Sequence, residues 1–599
     1  MTAVIEVEGF RFRYPGATVE SLRGVDLTIE QGDFVAVVGG NGSGKTTLCK
    51  TFNGLVPHYW SGRTDGQVVV AGVPTATASV AELSAVVGYV YQDFTNQLVR
   101  PTVRDEVAFA AVNFGLVDHA ARAAQALEML GITHLADKFV WQLSGGQQHL
   151  VAIAAVMVLR PQVLVVDEPV AELDPGRAAH IYESLAHLNA AYGTTIVVIE
   201  HHTDFVARYA RSVVLMADGA VVWHLPVAEA LARSDELDAH GVPAPQVVQV
   251  ARAYEQHGPV PLTPVDAARW LTERGVEVRR GALRDPSEPE PSVPARPDAA
   301  RSAERTLVAR LDDVRHGYRG VDGRFDTVLD GIDLDLHEAE RVALVGSNGA
   351  GKSTLMRLLT GLRVPRSGTV TVEGVSTRDV SASIMADRVC YLYQRPEEMF
   401  LTDTVRGDVA LYPTGRDVPD ATRLVDEVLT LVDLHHLADR DGRTLSGGQQ
   451  RRATLAVGLA MRPSLLLLDE PTSSLDIGSR DGVIAMLARL ADHIRCVVVA
   501  THDMHLVAEW ATRVVVLDQG AVVADTTPAE LFGDVDLMAR AGLVPPQVAE
   551  LGRLLGMDPP PLSVVEMVGR TGTGAALVTP GHGPGRSDRT EVGHGAHHA

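Results

Sequence analysis

An α/β fold, built twice within one chain, is what the sequence predicts. Three observations predict it. The same short motifs recur in the same order about 300 residues apart. Within each copy, apolar runs of strand length meet glycine-rich loops and then helical patterns. A proline-rich stretch, RDPSEPEPSVPARPDAARSAER, separates the copies at 284–305.

The repeat comes first, because missing it would misread the whole fold. GGNGSGKTT at 39–47 returns as GSNGAGKST at 346–354, and LSGGQQ at 143–148 returns at 445–450. VLVVDEP at 163–169 returns as LLLLDEP at 465–471. Gln92 pairs with Gln394 and His201 with His502. The runs VLVVD and LLLLD are continuously apolar, as central strands of a parallel sheet covered on both faces should be. IVVIE and VVVAT read as their neighbours. Ala/Leu-rich segments near 100–140 and 403–440 have helical spacing and predict an inserted helical subdomain. After each copy a Pro-Gln-Val start (PAPQVVQVARAYEQHG at 243–258, VPPQVAELGRLLGMDP at 544–559) opens a helical extension. The expected organisation is therefore a first unit at 1–237 with an extension at 238–283, and a linker at 284–305. A second unit follows at 306–536, with an extension at 537–570 and a Gly/His-rich tail at 571–599. Linker and tail have the composition of disordered segments. His582, His594, His597 and His598 in the tail are read as part of that unstructured run rather than as a metal site.

Bulk composition narrows the classes. The 599 residues carry a net charge of −22, which argues against general nucleic-acid binding. Three cysteines, Cys49, Cys390 and Cys496, form no C-x-x-C pair, so buried thiols in a reducing compartment are expected. The first residues lack the apolar core of a signal peptide, and no apolar run approaches the roughly 18–20 residues that span a bilayer. Any membrane role is expected to be peripheral, through a partner.

The motifs carry phosphate chemistry. In G-x4-G-K-[ST], glycines let backbone N–H groups turn inward around phosphate oxygens, and the following helix aims its N-terminus at the same anions. The cradle comprises Gly39, Asn41, Gly42, Ser43, Gly44, Lys45, Thr46 and Thr47, and Gly346, Asn348, Gly349, Ala350, Gly351, Lys352, Ser353 and Thr354. Lys45 and Lys352 should reach the β- and γ-phosphates, while the Thr46 and Ser353 hydroxyls should ligate Mg²⁺. Asp167 and Asp469 end apolar strands at the edge where ligands sit, and should hold Mg²⁺ through water. Glu168 and Glu470 follow, placed to orient or deprotonate an attacking water. In the LSGGQ segments, Ser144, Gly145, Gly146 and Gln147, and Ser446, Gly447, Gly448 and Gln449, combine a hydroxyl, glycine N–H groups and a helix N-terminus. Together they make an anion clamp.

LSGGQ between a glutamine motif and a strand-ending Asp-Glu pair resembles the ATP-binding-cassette (ABC) ATPases, over nearly the whole chain except linker and tail. The resemblance implies two P-loop NTPase (RecA-like) ABC domains that bind ATP with Mg²⁺. Each signature segment would cap the γ-phosphate of ATP on the opposite domain. It implies that Gln92 and Gln394 approach Mg²⁺ and water and border a membrane partner. His201 and His502 would bond the γ-phosphate, and Tyr14 and Tyr318 would stack on adenine. Lys45, Asp167, Glu168 and His201 would face Ser446 and Gly448. Lys352, Asp469, Glu470 and His502 would face Ser144 and Gly146. Hydrolysis would then release the halves.

The first half departs from the pattern. His149 and Leu150 stand where the second half has Arg451 and Arg452, Glu172 where it has Ser474, and Glu200 where it has Thr501. Because no motif residue is missing, both sites are expected to hydrolyse ATP. YVYQDFTNQLVRPTVRDEVAFAAVNFGL at 89–116 resembles the importer ATPases of the energy-coupling-factor type, as do the Pro-Gln-Val extensions. That implies a location on the cytoplasmic side of a membrane, a transmembrane partner with coupling helices and a small substrate-capturing membrane subunit. The cargo would be a vitamin, a vitamin precursor, or cobalt or nickel ions. Two alternatives stay open: the ATPase of another transporter class, for sugars, peptides or export, and a soluble ABC factor acting on ribosomes. The short, proline-rich 284–305 is unlike the long basic linker of the latter.

Overall fold

The computed structural model describes residues 2–170, 173–278, 306–319, 325–473, 475, 477–490 and 494–572. The expected linker, Glu172, Ser474 and the four tail histidines lie outside the described residues. Thr571 and Gly572 do not belong to the tail in which the sequence placed them. Thr571 is buried, and the two residues pair as a strand with Glu277–Val278.

Each half is built around a six-stranded sheet. In the first the strand order is Ala220–Pro226, Ser212–Ala217, Phe34–Val38, Thr195–Ile199, Val163–Asp167, Val87–Val90. The second half repeats this order from Ala521–Thr526 to Val389–Leu392. All pairs are parallel except the hairpin at one edge. Val163–Asp167 and Leu465–Asp469 are buried at every residue, as strands covered on both faces must be. A second, antiparallel four-stranded sheet packs beside each (Leu22–Glu30, Ala3–Arg13, Arg63–Val70 and Val73–Pro74 in the first half). The sequence reading did not anticipate it.

The inserted helices are Val103–Asn113, His119–Met129 and Gly145–Met157, with counterparts Val405–Gly415, Ala421–Leu431 and Gly447–Ala460. Val103, Val107, Leu127 and Val151 share one core with Phe34, Val38 and Val166, so the helical subdomain and the sheet are continuous.

The extensions pack on each other. Helices Gln246–Tyr254 and Pro264–Glu273 meet Gln547–Leu554 and Val564–Arg570. Val247, Val250 and Leu271 from the first half form one core with Val548, Leu551 and Met567 from the second. Neither amphipathic pair buries its apolar face alone; together they do.

Candidate functional site

Two copies of one site lie at the carboxyl ends of the parallel strands. Phe34–Val38 runs into the glycine loop and then into helix Lys45–Phe52; Glu340–Val345 does the same into Lys352–Leu359. The glycines are required. A Cβ at Gly39 would stand 2.2 Å from the Met216 carbonyl oxygen, and one at Gly346 would stand 2.1 Å from that of Leu517. Both also have φ in the left-handed range, near 149° and 144°. Lys45 Nζ donates to the carbonyls of Gly39 (2.8 Å) and Gly40 (3.0 Å), and Lys352 Nζ to those of Gly346 (2.6 Å) and Ser347 (3.2 Å). The ammonium groups are thus held inside their loops, where a phosphate would lie. Burial lowers the Lys352 pKa, opposed by Glu470, Asp469 and Asp174 and reinforced by Arg177. Asp174 and Arg177 belong to the other half.

Asp167 and Asp469 each accept a hydrogen bond from a tyrosine on the adjoining strand: Tyr89 Oη at 3.1 Å and Tyr391 Oη at 2.6 Å. Burial first, then the charge of Glu168, pushes the Asp167 carboxyl up to about 6, while bonds from Tyr89 and Thr46 pull it back. A Thr46 hydroxyl beside a carboxylate is the hard-oxygen donor set that suits Mg²⁺. Among the described residues no group of three or more His, Cys, Asp and Glu is arranged to hold a metal ion by itself.

Glu168 and Glu470 have left-handed backbones, with φ of 49° and 47°. For a residue other than glycine this costs on the order of 1–3 kcal/mol and must be enforced by its surroundings. Their N–H groups are tied to the carbonyls of Ile199 (3.0 Å) and Ala500 (2.9 Å) on the adjoining strand ends. The enforced turn aims each carboxylate at its histidine. His201 Nε2 lies 3.1 Å from Glu168 Oε1, and His502 Nδ1 lies 2.9 Å from Glu470 Oε1. Burial disfavours a charged His502 ring, yet the Glu470 carboxylate outweighs it and raises the pKa. Gln92 Nε2 also donates to Glu168 Oε2 at 2.6 Å. Gln394 is exposed and has no such bond to Glu470 among the described residues.

Ser144 and Ser446 open the signature helices as N-caps. The side-chain oxygens of Gln147 and Gln449 accept from the Ser144 and Ser446 N–H groups, each at 3.1 Å. These glutamines thus cap their own helices, and the Ser144 hydroxyl in turn accepts from the Gln147 N–H at 3.5 Å. Tyr14 Oη and Tyr318 Oη each stand 3.3 Å from the equivalent hydroxyl, Thr47 Oγ1 and Thr354 Oγ1. Tyr318 therefore occupies the same place as Tyr14 despite its irregular sequence context.

Several residues at the site were not singled out from sequence. Besides Tyr89 and Tyr391, the buried carboxylates of Glu106 and Asp408 each accept two backbone N–H bonds, from Val99 and Arg100 and from Leu401 and Thr402. They fix the segments that follow Gln92 and Gln394, the Q-loop glutamines. The departures of the first half also find partners. Glu200 accepts from the N–H groups of His201 (2.7 Å) and His202 (2.8 Å) and from Tyr182 Oη. In the second half, Asp503 and Thr501 brace the corresponding turn. Arg451 donates to the carbonyls of Tyr393 and Gln394 and to Ser473 Oγ, tying the signature helix to the Q-loop. In its place His149 is buried and stacks on Phe94, centroids 4.5 Å apart. Burial lowers its pKa to about 4.

Two glycine-loop, strand-carboxylate and signature sets on duplicated parallel sheets define a tandem P-loop ATPase. A family model for ABC transporters matches residues 22–171 and 329–473. An ABC transporter ATP-binding protein of Methanosarcina acetivorans is 32% identical over 578 residues, covering 94% of this chain and 92% of its own length. One from Streptomyces avermitilis is 36% identical over 559 residues, covering 88% and 94%. A solved structure of cbiO1 from Clostridium perfringens, described as part of the ABC transporter complex cbiONQ, is 32% identical. It covers 42% of this chain and all of that one, with a TM-score of 0.37. The chain belongs to the ABC transporter ATP-binding proteins, as a member with two ATPase domains in one polypeptide. Among its described residues no helix is long and apolar enough to cross a membrane.

Proposed function

We propose that this chain binds two ATP molecules between its halves and hydrolyses them to drive a membrane importer of the energy-coupling-factor type. One observation carries the pairing. A Cβ built on Gly176 of the first half would stand 4.0 Å from the carbonyl oxygen of the second half's Gly542, and one built on Gly542 would stand 3.9 Å from Ser347 Cβ in the glycine loop. That proximity supports a reading in which the residues after the first half's Asp-Glu strand serve the second half's phosphate cradle.

In this reading the loop N–H groups and Lys45 or Lys352 hold the phosphates. Ser144 and Gly146 close over the nucleotide at Lys352; Ser446 and Gly448 close over that at Lys45. Thr46 and Asp167, and Ser353 and Asp469, with Gln92 and Gln394 nearby, would hold Mg²⁺, which would supply positive charge against the phosphates. Glu168 and Glu470 orient the attacking water and take its proton, and His201 and His502 position both carboxylate and γ-phosphate. Loss of the γ-phosphate removes the clamp contacts, and the halves part while the extensions keep them joined.

The importer type rests on residues 89–116 and on the paired Pro-Gln-Val extensions. Val99 and Leu401, 60% and 77% exposed, project just past the Q-loop glutamines and form the face offered to a transmembrane partner. The chain would then work at the cytoplasmic side of a membrane, with a small substrate-capturing subunit choosing a vitamin, a vitamin precursor or a transition-metal ion. Affinity capture of the tagged chain from detergent-solubilised membranes of its own host tests this. Co-purification of one larger and one small membrane protein is expected. Co-sedimentation with ribosomes and no membrane partner would end the proposal.

A further inference from the structure

The two signature segments are backed by different side chains. Behind Gly146 lies Arg177: a Cβ built on that glycine would stand 3.1 Å from Arg177 Cδ and 3.4 Å from its Cβ. Behind Gly448 the equivalent neighbour is Ser479, whose Oγ would stand 2.8 Å from such a Cβ. The same position therefore carries a cation in one half and a hydroxyl in the other.

Arg177 is held but not used up. Its Nε lies 3.2 Å from Asp174 Oδ2, and its side chain is about one-third exposed (34%). Asp174 also caps the helix through the Arg177 N–H, at 3.0 Å. A Cβ built on the adjoining Gly176 would stand 4.0 Å from the Gly542 carbonyl oxygen, and one on Gly542 would stand 3.9 Å from Ser347 Cβ of the opposite glycine loop.

We propose that Arg177 is a triphosphate-binding residue supplied by the first half to the nucleotide held at Lys352, leaving Asp174 for the γ-phosphate when the halves close. The inference rests on the trans pairing of the previous subsection. A guanidinium presents a planar fork of donors that matches phosphate oxygens, and charge at the γ-phosphate is greatest while it is being transferred. The nucleotide at Lys45 meets Ser479 instead, so the two sites would bind ATP with unequal strength.

Equilibrium binding of a non-hydrolysable ATP analogue and of ADP to the full chain tests this. Lys45→Ala leaves the Lys352 site to report, and Lys352→Ala leaves the Lys45 site. In the Lys45→Ala chain, Arg177→Ala should weaken the analogue by about tenfold or more, the loss expected for one charged hydrogen bond. ADP should weaken by less than about threefold, and Arg177→Lys should retain part of the affinity. Equal weakening of analogue and ADP, or equal weakening in both reporter chains, would overturn the proposal as a structural effect. Weakening confined to the Lys352→Ala chain would overturn the trans pairing itself. No weakening in either, while Ser144→Ala still weakens the analogue at the Lys352 site, would overturn the role of Arg177 and leave the pairing intact.

Discussion

Gln246 and Gln547 accept hydrogen bonds from each other's helix: Val548 N–H donates to Gln246 Oε1 at 3.2 Å, and Val247 N–H donates to Gln547 Oε1 at 3.1 Å. The exchange is reciprocal, so the extensions meet about a local two-fold axis, as the two halves of an isologous dimer would. Val247 and Val548 are fully buried. Each glutamine thus satisfies the first-turn N–H of the facing helix, a group with no partner within its own helix.

Replacing either glutamine strands one of those donors. Gln246→Leu and Gln547→Leu should each destabilise the joined extensions by about 1–3 kcal/mol. Hydrogen exchange at Val247 and Val548 reads this directly. Unchanged protection in both variants would mean that the extensions do not pair in solution.

Both carboxylates that follow the strand aspartates have the same enforced backbone and a histidine partner, so both sites should turn over. Glu168→Gln and Glu470→Gln should each leave measurable steady-state ATPase, and the double variant should lose at least about 100-fold. Loss of all turnover in Glu470→Gln with a full rate in Glu168→Gln would show a single working site.

His149 gives the first half a pH dependence. Its folded pKa, about 4, lies below the ordinary 6.5 because burial opposes the charge. The unfolded chain therefore takes up a proton that the native ring refuses. The contribution to stability is complete above about 6.5 and is lost as pH falls toward 4, by roughly 3 kcal/mol at most. The Tm difference between the native chain and His149→Phe, followed from pH 7.5 to 4.5, should shift steadily in favour of the variant. A constant difference would place His149 in contact with water.

Asp167 titrates near 6 because of burial and Glu168. In the proposed site its carboxylate form would serve a metal–nucleotide complex, and as pH falls through 6 that form is lost. In the Lys352→Ala chain, Mg-ATP affinity should fall about fourfold between pH 7.5 and 5.5 beyond any change in an Asp167→Asn control. The same slope in the control would assign the titration to another group.

Much of this was legible before the fold was known. The glycine loops, strand-ending Asp-Glu pairs and signature helices sit where their spacing placed them, because each is a local device: a turn that only glycine tolerates, or a strand that runs continuously apolar. The extensions were legible as helices but not as partners, since Gln246 and Gln547 are 301 residues apart and nothing local records their meeting. The same holds for His149. As a sequence departure it looked like a lost arginine; only the packed fold shows that a ring stack on Phe94 stands where Arg451 makes hydrogen bonds. Glu200 likewise moves an acidic group from one side of the histidine to the other, and the turn is braced either way. The signature glutamines, Gln147 and Gln449, stand at the expected helix starts, where their side-chain oxygens also cap their own helices.

The central claim is that each nucleotide lies between one half's glycine loop and the other half's signature. Solving the full-length Glu168→Gln, Glu470→Gln chain with Mg-ATP trapped in it measures this directly. The account predicts a γ-phosphate within hydrogen-bonding distance of both Lys45 Nζ and Ser446 Oγ, and a second shared by Lys352 and Ser144. A γ-phosphate bound by Lys45 together with Ser144 would contradict it.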